Sequence, residues 1–344
     1  MKAVQIHKHG NLDVLQFNNI SEPRCEKDKV KIKIHASAIN HLDIWVRNGL
    51  PGVNMRLPMI LGSDGSGIII EKGSDVEGLK MGDEVVIQPG IFCGKCAHCK
   101  VGNENICYQY GILGETVNGI QAEYIVIDPI NIYAKPDHLS FAEAASMQLV
   151  FMTAYQMLTR RAKIQNNETI LIYGGTSGVG SAAIQICREM GLNVITTVGN
   201  HGKVKHAEKM GANHVLIHSD KNWPNEVKVI TEKRGVDIVF EHVGQATWNQ
   251  SLNLLSRGGR IVTCGATTGQ DVSINLTHLF IKQHSIIGST MSSLCTFKEV
   301  MEKIHNRVYS PFVDEVFKME DVRQAHKYIE NSEHKGKVVM VFDR

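Results

Sequence analysis

Residues 168–190 read ETILIYGGTSGVGSAAIQICREM. The first six residues are a short apolar run of strand type, Gly174 to Gly180 form a glycine-rich turn, and the remainder is helical. Apolar residues at 179, 182, 183, 186, 187 and 190 give that helix one face to bury. Glycines in such a turn let backbone amides approach a pyrophosphate at the positive end of the helix. A glycine turn alone is weak, but this one has its strand before it, its helix after it and further strands in series. Those strands read NVITTV, HVLIH, VDIVFE, GRIVTCG and SIIGST, with helical segments between them. The pattern predicts a doubly wound, parallel six-stranded sheet that binds a dinucleotide. Gly175, Thr176, Ser177, Gly178, Val179 and Gly180 are the residues expected at the phosphates. Ser177 departs from the pattern, because it stands at the central glycine position when the frame is set on Gly175 and Gly180.

Which dinucleotide is bound is read at the end of the second strand, where a carboxylate would accept from the ribose hydroxyls of NAD. The stretch TTVGNHGKVK has none. A 2′-phosphate there meets no repulsion and finds Asn200, His201 and Lys203 as donors beside Gly199, so NADPH is the favoured cofactor. The alternative is that Lys203 only solvates the start of the next helix. His218, at the end of the third strand, is a further candidate neighbour.

Outward from this core the rhythm changes. From Met1 to about Pro136, short strands such as GSGIIIEKG, GDEVVIQPG and AEYIVIDP are closed by glycine, proline and aspartate, so this half is mostly β. At 344 residues the chain is long for one hydrophobic core. Two domains are expected: residues 1–140 together with 291–344, and residues 141–290 between them. In the tail, the amphipathic helix LCTFKEVMEKIH and the closing strand KVVMVF are expected to return to the first domain. The net charge of +2 is spread without a lysine or arginine run, which argues against a nucleic-acid partner. No apolar stretch reaches the length of a membrane span, so no membrane association and a soluble, cytoplasmic protein are expected.

Cys93, Cys96, Cys99 and Cys107 fall in the run CGKCAHCKVGNENIC. The spacing lets one loop offer four soft thiolates to a tetrahedral zinc with no open position, which is a structural site and not a catalytic one. Two disulfides are the alternative. They fit poorly, since no secretory signal is read and Cys25, Cys187, Cys264 and Cys295 are scattered singly.

A mostly β half with a four-cysteine lobe, followed by this nucleotide-binding half, resembles the medium-chain superfamily of zinc-type alcohol dehydrogenases and quinone reductases. The markers are the lobe, SAINHLDIWVRNG, LPMILGSDGSGII, GDEVV, and TAYQML ahead of GGTSGVG. The resemblance covers the whole chain. It implies a GroES-like barrel joined to a Rossmann domain, hydride transfer at a nicotinamide in the cleft between them, a small-molecule substrate, and a homodimer or homotetramer. It further implies that Thr153, Val243 with Gly244, Gly265 with Ala266, and Ser289 to Met291 line the cofactor.

The alcohol dehydrogenase branch holds a second, catalytic zinc by two cysteines and a histidine. At those positions this chain has Asn40, Ser63 and Leu149, and none is a good zinc ligand. Leu42 and Trp45 stand where that branch starts and relays its proton. Asp64 replaces a glutamate, and is expected to be structural. His41, Asp43 and Asp64 are conceivable ligands of an unusual metal, but more readily cap a turn. What remains is similar to the zinc-independent quinone and enone reductases, which also carry asparagine in an A-x-N-x-x-D stretch like Ala38 to Asp43. The expected function is NADPH-dependent reduction of an activated C=C or a quinone, with Asn40 contacting substrate or nicotinamide and Asp43 orienting Asn40 or a water. The alternatives are an alcohol dehydrogenase with a nonstandard site and a non-catalytic NADPH-binding protein.

Overall fold

The computed structural model describes residues 1–50, 52–53 and 55–342. The chain divides into two compact units, one of Met1–Leu149 with Ser310–Arg344 and the other of Val150–Tyr309.

In the second unit the strands predicted from their apolar runs are all present and parallel. Thr169–Ile172 lies at the centre, flanked on one side by Asn193–Val198 and His214–Ile217 and on the other by Val236–Glu241, Leu255–Thr263 and Ser285–Gly288. The sheet therefore runs third, second, first, fourth, fifth, sixth strand, and the order reverses beside the first strand, where such sheets bind ligands. Ile170, Leu171 and Ile172 are fully buried, as both faces of a parallel sheet demand. The helix Gly178–Glu189 leaves the first strand through the glycine turn, and Ala182, Ala183, Ile186 and Cys187 are buried as its pattern requires.

The expected partition of the tail needs correcting. The helix Leu294–His305 has the bounds read from the sequence, yet it belongs to the second unit. Phe297, Val300 and Ile304 are buried, and Thr296 Oγ1 donates to Gln156 Oε1 at 2.9 Å. Burying Phe297 alone is worth about 2–3 kcal/mol. An amphipathic face shows that a helix packs, but not on which core.

The first unit is a curved, mostly antiparallel sheet whose spine is the ten-residue strand Val30–Ile39. It pairs with Asp64–Lys72, Tyr124–Ile127 and Lys337–Val341, and irregular register at Lys31/Ile32 and Ile34/Ala36 bends it through the barrel. Val30, Ile32 and Ile34 face a core with Ile69, Val85, Ile87 and Ile125. Strands Lys2–Ile6, Gln16–Asn19 and Val313–Lys318 and the helix Val322–Glu330 also belong to the unit, and the sequence pattern does not single them out. Two strand registers build the polar cluster of this unit: Ala38 lies opposite Asp64, and Ile39 opposite Val338. They carry Asn40, Asp64 and Lys337 to one place.

Candidate functional site

In the second unit the glycine turn has the close approaches its residues suggest. A Cβ on Gly175 would stand 2.2 Å from Thr196 Oγ1, and one on Gly180 would stand 2.2 Å from Gly174 O, so neither position accepts a larger residue. Ser177, the departure from the glycine pattern, is the N-cap of the helix, and its Oγ accepts from Gly180 N at 3.0 Å. That cap satisfies one of the first-turn amides. The N–H groups of Gly178 and Val179 have no intrahelical acceptor by helix geometry, and they are the donors this helix end offers to an anion. Thr176 is buried beside them.

At the ends of the second and third strands the structure brings Gly199, Lys203 and His218 together. A Cβ on Gly199 would lie 3.7 Å from His218 Cε1. Burial, with the Lys203 charge beside it, pushes the His218 imidazole below its ordinary value. Lys203 is buried at the end of the short turn His201–Lys203, with Asn200 exposed ahead of it. None of these four residues is a carboxylate. The donor set fits a phosphorylated ribose.

On the other side of the first strand, Val243 and Gly265 are half-buried at the ends of the fourth and fifth strands, and Ala266 is exposed next to them. Ser289 N donates to Thr263 O at 2.9 Å, which fixes the end of the sixth strand, while the buried Ser289 Oγ has no partner among the described residues. Thr153 lies in the helix Gln148–Tyr155, with its hydroxyl 4.0 Å from Met291 Sδ.

In the first unit, Asn40 precedes the helix His41–Asn48, and the strand register sets it against two charged side chains. Asn40 Nδ2 donates to Asp64 Oδ2 at 3.0 Å, Lys337 Nζ donates to Asn40 Oδ1, and the same ammonium donates to Asp64 Oδ2 at 3.1 Å. The other carboxylate oxygen of Asp64 accepts from Leu149 N at 2.9 Å. All three side chains are buried. The amide bonds two charged neighbours as well as sitting in the capping box of its helix, and its second Nδ2 hydrogen remains to be given. The sequence reading missed Lys337. A lysine heading the all-apolar run VVMV was the available signal.

Asp43 meets Asn40 through the main chain. Its Oδ2 accepts from Asn40 N at 2.7 Å and its Oδ1 from Gly62 N at 2.9 Å, with the residue 1% exposed. Both oxygens are spent on backbone, so Asp43 is a positioning residue that ties the start of the helix to the loop before Ser63. Ser63 Oγ donates to Leu113 O at 2.8 Å. Leu42 packs against the apolar cluster of Ile44 and Leu61, and the Trp45 ring meets His41 edge-on at 6.0 Å. Neither Leu42 nor Trp45 carries a hydroxyl or imidazole for a proton relay.

The cysteine lobe carries the metal geometry. The Cys93–Cys107, Cys96–Cys99, Cys96–Cys107 and Cys93–Cys99 sulfur separations are 3.5, 3.6, 3.7 and 4.0 Å. Four thiolates about 2.3 Å from a tetrahedral zinc stand about 3.8 Å apart, so these residues fit the ion. Backbone amides pull the thiols of Cys93 and Cys96 down, the latter to about 6, whereas burial and the neighbouring thiols push Cys99 up to about 12. All eight cysteines are free, which removes the disulfide alternative. Among the described residues this is the one cluster of three or more histidine, cysteine or acidic side chains able to hold a metal.

Residues 26–137 match the model of the alcohol dehydrogenase GroES-like domain, and residues 178–306 that of the zinc-binding dehydrogenases. The chain is a medium-chain dehydrogenase/reductase. It is 30% identical to the NAD-dependent alcohol dehydrogenase of Sulfolobus acidocaldarius over 99% of both chains. It is 28% identical to the human quinone oxidoreductase over 99% of this chain and 98% of that one. A solved structure of an NAD-dependent alcohol dehydrogenase superposes on it with a TM-score of 0.96 at 36% identity, covering 100% of each chain. These relatives of the medium-chain dehydrogenase/reductase are oxidoreductases, and they divide between alcohols and quinones. Among its described residues, no helix is long and apolar enough to cross a membrane.

Proposed function

We propose that this protein is an NADPH-dependent reductase that delivers hydride to an activated C=C or to a quinone, with its only zinc in the cysteine lobe. One observation carries the reading. Where the alcohol dehydrogenase branch has three zinc ligands, this chain has Asn40, Ser63 and Leu149, and the Lys337 ammonium is bonded to both Asn40 and Asp64. A dication would meet a fixed positive charge there, among donors that are poor ligands.

NADPH, when bound, supplies the hydride. The amides of Gly178 and Val179 would hold its pyrophosphate, Lys203 with Asn200 its 2′-phosphate, and Val243, Gly265, Ala266 and Ser289 its nicotinamide side. A conjugated carbonyl or quinone needs no Lewis acid, because hydride arriving at one end of the conjugated system leaves the charge on oxygen. The second Nδ2 hydrogen of Asn40, on an amide polarised by Lys337, is the donor for that oxygen. Water supplies the proton. The eight free thiols fit a reducing cytoplasm, and a homo-oligomer is the expected assembly.

The test is an NADPH-oxidation screen over enones, quinones, enoyl thioesters and simple aldehydes, run beside a metal count. Turnover of the conjugated substrates with about one zinc per chain is the expected result. About two zincs, with alcohol oxidation that chelation abolishes, would transfer the chain to the alcohol dehydrogenase reading that the relatives' names also favour. Tight cofactor binding with no turnover would make it a binding protein. Lys203→Ala should weaken NADPH about ten-fold more than NADH, the worth of one charge-assisted hydrogen bond. Equal losses would overturn the cofactor assignment.

A further inference from the structure

The fourth strand, VDIVFE, ends in Glu241, whose side chain is completely buried. A buried carboxylate is tolerated only where donors surround it, and Glu241 has an unusual set. Its Oε1 accepts from Val243 N at 2.7 Å and Gly244 N at 3.1 Å, and its Oε2 accepts from Ser251 Oγ at 2.8 Å. Thr247 Oγ1 lies 3.0 and 2.9 Å from the two oxygens. The two backbone amides fold the chain back over the carboxylate at Val243 and Gly244. Gly244 has φ +90°, and a Cβ there would stand 2.5 Å from Gly269 O.

The folded segment is in turn joined to the loop after the fifth strand. Thr268 N and Thr268 Oγ1 both donate to Val243 O at 2.8 Å, and Thr267 Oγ1 donates to His242 O at 3.1 Å. Gln245 N donates to Gly269 O at 3.1 Å, and Ala246 N to Thr268 Oγ1 at 3.0 Å. A second tie runs towards the glycine turn. His242 Nε2 is 2.8 Å from Tyr173 O, so the ring carries its proton on Nε2, and Tyr173 directly precedes Gly174.

We propose that Glu241 is a positioning residue for the nicotinamide half of the cofactor, a buried anion that shapes residues 242–246 and, through them, residues 265–269. The inference rests on the cofactor reading above. Glu241 itself is enclosed by its donors and acts only through the loops, so its removal should separate the two halves of the dinucleotide. The adenine half depends on Gly199 and Lys203, at the end of the second strand, and on the helix amides after the glycine turn, whereas the donors to Glu241 come from residues 243–251.

The experiment measures dissociation constants by calorimetry for NADPH and for 2′-phospho-ADP-ribose, the same molecule without nicotinamide. Wild type is compared with Glu241→Gln and Thr268→Val, with circular dichroism as a check on folding. Glu241→Gln keeps the size but loses the charge on which the two amides converge. It should weaken NADPH about ten-fold and the fragment by less than about two-fold. Thr268→Val removes the hydroxyl from the loop pairing at an exposed position, and should give the same split with a smaller loss. Parallel losses for both ligands, or none for either in both variants, would overturn the proposal. The same pair of measurements with NADH and ADP-ribose keeps the outcomes apart. If NADH is the tighter cofactor, the NADPH assignment fails, and a split that persists with NADH still supports the role of Glu241.

Discussion

The cysteine lobe and the Asn40 site lie in the same unit and solve the problem of clustered polar groups in opposite ways. In the lobe, four sulfurs lie within 4.8 Å of one another and their charge is balanced only when a metal arrives. At Asn40 the cation is part of the chain: the Lys337 ammonium, bonded to Asp64 and Asn40, neutralises the carboxylate without any ion. An ammonium can replace the charge of a metal, but not its chemistry. It donates hydrogen bonds and has no vacant orbital for a substrate oxygen. In the function proposed above, the site polarises an amide instead of binding a metal, which would suit acceptors that spread charge by conjugation.

The sharpest way to break this comparison is to remove one ligand from the lobe. Structural zinc sites bind with about 10–16 kcal/mol of apparent free energy, much of it folding energy. Cys96→Ser should empty the lobe of metal and lower the unfolding temperature by a larger margin than any substitution at the Asn40 site. Because the dinucleotide residues lie in the other unit, NADPH affinity of the folded fraction should change by less than about two-fold. A loss of zinc that brings a proportionate loss of cofactor binding would mean the lobe is not merely structural.

A smaller effect is expected from the built-in cation. Lys337→Met leaves Asp64 buried without its counter-charge, a change that costs about 3–5 kcal/mol. The double variant Lys337→Met/Asp64→Asn should recover most of that loss in urea unfolding, because neither charge then remains. If the double variant is as unstable as the single one, Lys337 contributes packing and not charge balance, and the contrast with the lobe fails.

The lobe and the Asn40 site also differ in how far they could be read in advance. The four cysteines are local: one loop carries them, and spacing alone predicts their chemistry. The buried strands were equally plain, and Asn193–Val198 and Val236–Glu241 have the bounds of the apolar runs NVITTV and VDIVFE. Lys337 was not legible, since its bond to Asn40 spans 297 residues and its bond to Asp64 spans 273. Only the antiparallel register of three strands creates that meeting. Glu241 was read as the end of a strand, which it is, and a pattern of residues does not say that so many donors converge on it. Ser177 was visible as a departure, while its meaning as a helix cap needed the 3.0 Å contact with Gly180.

The smallest effect separates the two clusters by the sign of their response to acid. Burial pushes the Asp43 carboxyl from its ordinary 3.8 up to about 6, and Asp64 adds to the rise, against the pull of the Asn40 and Gly62 amides and of Lys337. The folded state thus holds this proton more tightly than the unfolded one. Its contribution to stability is fully present below about pH 4 and is lost as pH rises through about 6, which amounts to roughly 1 kcal/mol between pH 5 and pH 7. The lobe responds the other way, because thiolates must lose protons to hold zinc, so acid weakens it. Urea unfolding of wild type and Asp43→Asn at those two pH values isolates the first term, since the lobe is common to both. The gap between the two proteins should widen on going from pH 7 to pH 5, with wild type gaining on the variant. Lys337→Met should move the window to higher pH by removing the ammonium that holds the carboxyl down. A gap that does not change with pH would mean that Asp43 stays ionised throughout, and that Lys337 and the two amides offset its burial entirely.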